Sequence, residues 1–568
     1  MLTGLHIALA QINPTVGALS DNAEKILHYW RTCTDDLIVF PELCITGYPP
    51  EDLILKPVFL KRVHETVEAL CKASTTFPAA AVIGCPWIIN GKIYNVMHLI
   101  EHGKITATQA KHHLPCYGVF DETRLFSAGP LPAPVTFRDT KLGLMICEDM
   151  WYEDVAQHLK AQGGQALIVI NASPFDLRKP VKRLEIARAR MQETGLPLYY
   201  VNQVGGQDDL VFDGGSFVIF PPCHPERLSC HPEHSEGSVS DPATSGLYPS
   251  SQDDIILFPS FEESIASLPR RRASSEDLQP LDSRLRGSDE PLETLRKALT
   301  LALRDYTRKN GFTGLLLGLS GGIDSAVSAV IAVDAVGAEN VHCVMMPSRF
   351  TAGDSLDDAS ALAKTLGCSY ESIPITDPLT AFENTVPNLS GLAHENAQSR
   401  IRGLILMSLS NSSGHMVLTT GNKSEMAVGY ATLYGDMCGG FNVLKDVYKT
   451  QVYDLARHIN AEGEIIPARI LTRAPTAELR DNQTDQDSLP PYDILDAILR
   501  GLIEEDLSVE EIIARDHDRK TVLKIWHMLD RAEYKRRQSA PGPKITAKAF
   551  GKDRRYPLTN GFIKNIET

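Results

Sequence analysis

Three residues at the ends of predicted strands carry the means of cleaving an amide. Glu42 follows LIVF in FPELCITGY, Lys111 stands in QAKHHLPCYGVFDETRLF, and Cys147 closes the apolar run of LGLMICEDMWY. A thiol at a strand end is presented at the rim of a sheet, where a nucleophile can meet substrate. A carboxylate directly after a buried strand is costly unless it has a partner or a task. The three side chains supply a general base for the thiol proton, a nucleophile for the amide carbon, and a cation for the oxyanion that develops.

A second run with its own chemistry lies in the other half. GLLLGLSGGIDSAVSAVIAV reads as a buried strand, a Gly-Gly turn and a helix. From Gly318 through Leu319, Ser320, Gly321, Gly322, Ile323, Asp324 and Ser325 it forms a phosphate-binding loop. Its glycines let backbone close on phosphate, and Ser320 and Ser325 flank amides at a helix N-terminus, where anions are favoured. The loop matches neither GxGxxG nor the GxxxxGK pattern, so a dinucleotide fold and a kinase-type loop both lose ground.

The elements that must position these residues follow from patterning. LHIALA, LIVFPE, AAVIGCPW, LGLMICED, ALIVINAS and LYYVNQVG alternate with stretches of helical period between Leu5 and about Phe220, which indicates an α/β sheet fold. At 568 residues the chain exceeds one ordinary core, so two large domains are expected. We place the first at 1–221, with the apolar island at 254–266 available to complete its sheet. The second occupies 291–568 and begins with a helical pattern at Leu292. Between them, residues 222–290 are rich in Ser, Pro, Gly and charge, and HPER and HPEH recur there at short range. Such a segment buries too little apolar surface to offset its ordering entropy, so it reads as a linker or repeat-like insert without a catalytic task. Its Cys223, His224, Cys230, His231 and His234 lack a fixed metal-ligand frame.

Composition narrows the class. Hydrophobic residues make up 43% and charged residues 22%, the balance of a soluble globular protein, and the net charge of -15 argues against nucleic acid as a partner. The opening MLTGLHIALAQINPTVG has no basic or uninterrupted apolar segment, and no later run reaches the roughly 18 apolar residues of a membrane span. A cytoplasmic protein with no membrane partner is therefore expected. The eleven cysteines show no CxxC pair, so most should be reduced core thiols.

The first constellation resembles the nitrilase superfamily, whose Glu-Lys-Cys triad lies in FPE, KxxLPxYxxFxE and CxD-like contexts in this same order. The likeness covers about residues 5–220 and implies a four-layer αββα sandwich. It also implies a supporting role for Glu122 in FDETRLF, and a glutamine-holding role for Tyr117, Ser173 and Lys179.

The SGGIDS loop resembles that of the ATP pyrophosphatase families, which imply a Rossmann-like doubly wound parallel sheet and release of pyrophosphate from ATP. HENAQSRIRGLILMSLSN, VLTTGNKSEMAVGYATLYGDMCGGFNVLKDVYKTQV and RAPTAELRDNQTDQDSLPPYDILD are similar to successive motifs of the NAD synthetases, from about Leu292 to Tyr556. That resemblance implies that the nicotinate carboxylate of deamido-NAD is adenylated by ATP and then converted to the amide by ammonia. It assigns Thr420, Lys449 and Thr476 to ATP, and Asn396, Arg400, Glu425, Asp436 and Lys535 to deamido-NAD. Asp324 and Glu425 are the implied ligands of Mg2+, the expected cofactor. A homo-oligomer is also implied. The expected partners are glutamine, ATP and deamido-NAD, with ammonia passed between two sites. A nitrilase-like amidase fused to another ATP pyrophosphatase, acting on a different carboxylate or a tRNA base, stays open on sequence grounds.

Overall fold

The structure is a computed structural model that describes residues 5–222, 254–257, 260, 264–267 and 291–560. The stretch read as a linker or insert, with its Cys/His tract, lies largely outside the described residues.

Two six-stranded sheets build the first half. One has the order β14-β1-β2-β3-β4-β5, formed by β1 (Ile7–Gln11), β2 (Leu37–Val39), β3 (Ala80–Ile89), β4 (Lys92–Glu101), β5 (Lys104–Ala110) and β14 (Ser264–Ser267). The other has the order β13-β12-β9-β8-β7-β6, formed by β6 (Val135–Phe137), β7 (Thr140–Ile146), β8 (Ala166–Asn171), β9 (Leu198–Asn202), β12 (Phe217–Phe220) and β13 (Asp254–Leu257). Every apolar run singled out between Leu5 and Phe220 contributes one of these strands. β13 pairs antiparallel with β12, and β14 pairs antiparallel with β1.

Side chains from both sheets share one core. Leu9, Val39, Val82 and Leu99 meet Leu144, Ile146, Ile168 and Val201. The opposite faces are covered by helices. Ile26 and Trp30 of Leu19–Thr32 and Val63 and Val67 of Pro57–Ala73 pack on the first sheet. Val155 and Leu159 of Glu153–Ala161 and Leu184 and Ala187 of Lys179–Thr194 pack on the second. These are the four layers of an αββα sandwich, and strands buried on both faces explain the continuous apolar runs.

The second half is built on a parallel sheet of order β17-β16-β15-β18-β19, from β15 (Leu315–Gly318), β16 (Val341–Met345), β17 (Ser369–Ser372), β18 (Met416–Thr419) and β19 (Phe441–Asn442). Alternate residues of β15 go to opposite faces: Leu315 and Leu317 join a core with the helices Pro291–Lys309 and Ile323–Val336, whereas Leu316 joins Leu406 of Leu392–Ser413. The strand order turns back at β15 and β18, so the crevice at their carboxyl ends is the topological switch point where ligands bind in such folds. A helical layer around Leu495, Leu499, Ile525 and Leu529 flanks it.

The halves are joined through the helix Pro291–Lys309 and a two-stranded hairpin, β10 (Val204–Gln207) and β11 (Leu210–Asp213). Asp305 accepts hydrogen bonds from Asn13 Nδ2 at 2.6 Å and Gly206 N at 2.8 Å. Gly206 allows a close approach there, since a Cβ would stand 3.0 Å from Ala302 Cα. Phe175, Val204 and Val211 of the first half are continuous with the core of the second.

Candidate active sites

The first site lies where β2, β5 and β7 end. Cys147 follows the last residue of β7 and has φ +45°, a left-handed conformation that an L-residue adopts only where its surroundings hold it. Glu42 comes three residues after β2, and its turn passes so close to β3 that a Cβ on Gly84 would be 2.5 Å from Leu43 N. Lys111 directly follows β5.

Lys111 bridges the two carboxylates. Its Nζ lies 2.8 Å from Glu42 Oε1 and 2.9 Å from Glu122 Oε1, with its side chain shut off from solvent. Asn95 Nδ2 donates to Glu42 Oε1 at 2.7 Å and Ala172 N to Glu42 Oε2 at 2.9 Å, while Tyr48 OH donates to Glu122 at 2.9 Å. Burial alone would lower the Lys111 ammonium, but Glu122, Glu42 and Cys147 raise it well above its ordinary value, so it stays a cation. Burial, opposed by Lys111 and reinforced by Glu42, pushes the Glu122 carboxyl up to about 7. Burial and then Glu42 hold the Cys147 thiol well above its usual range, despite Lys111. The nucleophile therefore rests as a thiol and needs a base during attack.

The residues assigned to glutamine surround this triad. Tyr117 OH donates to Glu148 Oε1 at 3.0 Å, which gives the residue after the nucleophile a defined role. Lys179 Nζ is 4.5 Å from the centre of the Trp151 ring, and burial, then Arg183, lowers its ammonium from the ordinary value. Ser173 is buried, with its Oγ receiving Arg183 Nε at 3.2 Å. Arg183 is fixed by Asp213 at 2.7 Å and also donates to Ser173 O at 2.8 Å. Asn95, Arg183 and Asp213 were not found from sequence. Arg183 stands four residues after Lys179 on one helix face, and that spacing was the available signal.

The second site is a cleft of about 300 Å³ at the switch point. Gly318 to Ser325, Thr420, Glu425, Asp436, Lys449 and Thr476 all line it. Ser320 Oγ and Ser325 Oγ are 3.0 Å apart, and Ser320 Oγ accepts from Gly322 N at 3.2 Å, which shapes the loop before the helix Ile323–Val336. Gly321 has φ +79°, and a Cβ on it would be 2.5 Å from Ser355 O.

Lys449 Nζ donates to Asp324 Oδ2 and, at 3.0 Å, to Glu425 Oε1. Asn422 Nδ2 donates to Asp324 Oδ1 at 2.9 Å, while Asn422 Oδ1 caps the following helix through Glu425 N. Burial pushes the Glu425 carboxyl up to about 7, with Lys449 opposing and Asp324 adding to the rise. Two carboxylates that share one lysine are a set of hard oxygen donors facing the phosphate loop, and this set fits Mg2+.

Asn396, Arg400 and Lys535 do not line the cleft. They brace the loop beside it. Asn396 Oδ1 accepts from Thr432 Oγ1 at 2.9 Å, Arg400 Nε donates to Leu433 O at 3.2 Å, and Lys535 Nζ donates to Gly429 O and Ala431 O at 2.8 and 2.7 Å. Asp436 of the same loop accepts from Thr432 N at 2.7 Å, and burial pushes its carboxyl up to about 6. Arg402, Arg473 and Asp485 line the cleft and were missed from sequence. Arg402 follows Arg400 by two positions on one helix, and the pair was the visible signal.

Comparison with known proteins gives two matches to family models: carbon-nitrogen hydrolase over residues 6–223 and NAD synthase over residues 295–539. A glutamine-dependent NAD(+) synthetase of Rhodobacter capsulatus is 46% identical, with 99% of each chain covered. One from Aquifex aeolicus (strain VF5) is 43% identical over 99% of this chain and all of its own. Among solved structures, a glutamine-dependent NAD+ synthetase from Acinetobacter baumannii in complex with ADP superimposes with a TM-score of 0.72 at 38% identity, covering 98% of this chain and 99% of that one.

Proposed function

The chain belongs to the glutamine-dependent NAD(+) synthetases, and from that premise and its two sites we propose that it makes NAD from deamido-NAD, ATP and glutamine. One observation carries the reading. A single chain holds both the Glu42–Lys111–Glu122 cluster beside Cys147 and a cleft in which Lys449 joins Asp324 and Glu425 under a glycine loop.

At the first site Glu42 takes the Cys147 proton as the sulfur attacks the side-chain amide carbon of glutamine. Lys111 stabilises the oxyanion, and the proton held by Glu42 passes to the departing nitrogen, so ammonia leaves and a thioester remains. Water activated by Glu42 then releases glutamate. Lys111 and Asn95 keep Oε1 engaged, which aims the carboxylate during both transfers.

At the second site the Gly318–Ser325 loop and Lys449 hold ATP while the nicotinate carboxylate attacks the α-phosphorus. The resulting acyl adenylate reacts with ammonia, and AMP departs. Asp324 and Glu425 are the residues that would hold Mg2+. When bound, the ion neutralises charge on the triphosphate and the leaving pyrophosphate.

Ammonia is mostly protonated at neutral pH, and ammonium is no nucleophile, so an enclosed path between the sites preserves it. Phe175, Val204 and Val211 pack into the core of the second half and Leu177 N donates to Ile545 O at 3.1 Å, so the two halves are in direct contact, as such a path requires. Competition between bulk 15N-ammonium and unlabelled glutamine tests it, since label entering NAD freely would remove the path.

ATP and a dinucleotide are metabolites of the cytoplasm, where we place the enzyme. Among the described residues no helix is long and apolar enough to cross a membrane. We also retain self-association of the chain, which light scattering measures.

The function is tested by supplying deamido-NAD, ATP and Mg2+ with glutamine or with ammonium. NAD, AMP and pyrophosphate are the expected products. Formation of none of them from either nitrogen source overturns the proposal.

A further inference from the structure

Beside the glutaminase site, three side chains outside the mechanism converge. His112, His113 and Asp154 each present a ligand atom, and all three atoms lie within 4.8 Å of one another. His112 Nδ1 is 2.8 Å from Gly129 O. A carbonyl only accepts, so Nδ1 carries the proton and Nε2 keeps its lone pair for a metal, the second-shell arrangement that fixes a ligating imidazole. His113 Nε2 is 3.0 Å from both oxygens of Asp154, and its ring stacks on Tyr152 with centroids 4.1 Å apart.

The backbone under the imidazoles is held firmly. The amides of His112 and His113 both donate to Asp149 Oδ1, at 3.0 and 2.8 Å, and Asp149 Oδ2 accepts from Ile146 N at 3.0 Å. Asp149 is buried, so one carboxylate fixes the histidine pair to the turn that carries Cys147. Asp154 opens the helix that follows the same turn, and Lys111 immediately precedes His112.

We propose that His112, His113 and Asp154 form a site for a borderline divalent transition cation, with Zn2+ as its natural probe, and that filling it slows glutamine use. Two imidazoles and a carboxylate match the donor preference of zinc, and partial exposure leaves a fourth position for water. In a tetrahedral zinc site, donor atoms are about 3.4 Å apart, so the set closes by side-chain rotation. The ion takes the place of the hydrogen bond between His113 Nε2 and Asp154, and neutral His113 frees the Nε2 lone pair by carrying its proton on Nδ1 instead. Because His112 directly follows Lys111, fixing its ring on an ion restrains the segment that carries Lys111, hence the effect on glutamine. The binding site stands without the proposed function, and only its effect on turnover rests on that reading.

Equilibrium dialysis with Zn2+ tests the site on the full chain carrying Cys147→Ala, which removes a competing thiol. Adding His113→Ala or Asp154→Asn should lower the stoichiometry by one ion per chain. Asp154→Asn keeps a hydrogen-bond acceptor for His113 and so guards against simple misfolding. Unchanged zinc stoichiometry in both derivatives overturns the site. With Cys147 restored, zinc should inhibit glutamine-supported NAD formation, Asp154→Asn should need at least about tenfold more zinc, and ammonium-supported formation should not respond. Equal zinc sensitivity of the parent and Asp154→Asn overturns the effect on turnover. Zinc-free assays with both nitrogen sources check the synthetase reading separately.

Discussion

Lys111 Nζ and Glu42 Oε1 are 2.8 Å apart, and neither side chain is exposed to solvent. A buried ion pair of this kind is weak evidence for stability, because desolvation offsets much of the attraction. Its value is positional: the cation that meets the oxyanion also holds the base that takes the thiol proton. Glu42→Gln keeps the shape but not the basicity. Glutamate release should fall by about 10²- to 10⁴-fold while ammonium-supported NAD formation stays near the parent rate. Parallel loss of both activities would contradict a base confined to the first site.

Cys147→Ala should abolish glutamine use and spare the ammonium route. Burial holds this thiol well above its usual range, so unliganded protein should also react slowly with iodoacetamide near pH 7. Rapid alkylation of Cys147 without ligand would show a preformed thiolate and remove the need for Glu42 as base.

Asp324→Asn leaves Lys449 with Glu425 alone and removes one of the two carboxylates facing the loop. ATP-dependent pyrophosphate release should be lost with both nitrogen sources, whereas glutamine hydrolysis itself persists. Chelation of divalent ions should have the same asymmetric effect. If pyrophosphate release survives excess chelator, Mg2+ is not needed at these residues.

Gly321→Ala tests the loop by sterics. The position has φ +79°, and the added methyl would stand 2.5 Å from Ser355 O, so either the loop or the helix Gly353–Leu366 must shift. A loss of about 2 kcal/mol in stability and a raised KM for ATP are expected, read by thermal melting and pyrophosphate assay. Parent-like values for both would show that the loop tolerates a side chain.

Asp436→Asn gives a pH-dependent difference with a definite sign. Burial raises this carboxyl from 3.8 to about 6, so the folded protein prefers it protonated. The favourable contribution of the protonated form is complete below 3.8 and lost as pH rises through about 6. Part of the side chain is open to solvent, which screens the charge, so its cost at neutral pH is small. The variant should therefore melt higher than the parent at pH 7.5, with the gap closing below pH 4. A gap that stays constant with pH would rule out titration of Asp436 as its cause.

Much of the chemistry was readable because its residues stand at strand ends. Glu42 and Cys147 each follow an apolar run and Lys111 stands where β5 gives way to a loop, and a polar group at such a place is visible in one dimension. The loop from Gly318 to Ser325 was readable for a similar reason, since strand, glycine pair and helix occur in unbroken succession. The partners of these groups were hidden. Asn95 lies inside β4, whose mixed polar pattern gives no sign that its amide supports Glu42, which follows a strand two places away in the sheet. Arg183 reads as one more charge in KPVKR, yet it is buried against Asp213.

The loop braces make the same point. Asn396, Arg400 and Lys535 are assigned to ligand by resemblance, and the structure adds that all three hold the backbone or a side chain of the 429–436 loop.

The sequence by itself determined two α/β halves, their strand-end nucleophile, base and cation, and the phosphate loop. These depend on local spacing and on the cost of leaving apolar runs exposed or charges buried without cause. Only the tertiary structure decided that Lys111 spans Glu42 and Glu122, that Lys449 spans Asp324 and Glu425, and that Asp149 ties His112 and His113 to the Cys147 turn. Apart from Lys111 and Glu122, which stand in one motif, those pairings join segments distant along the chain. Their distances are set by sheet order and packing, which no linear spacing encodes.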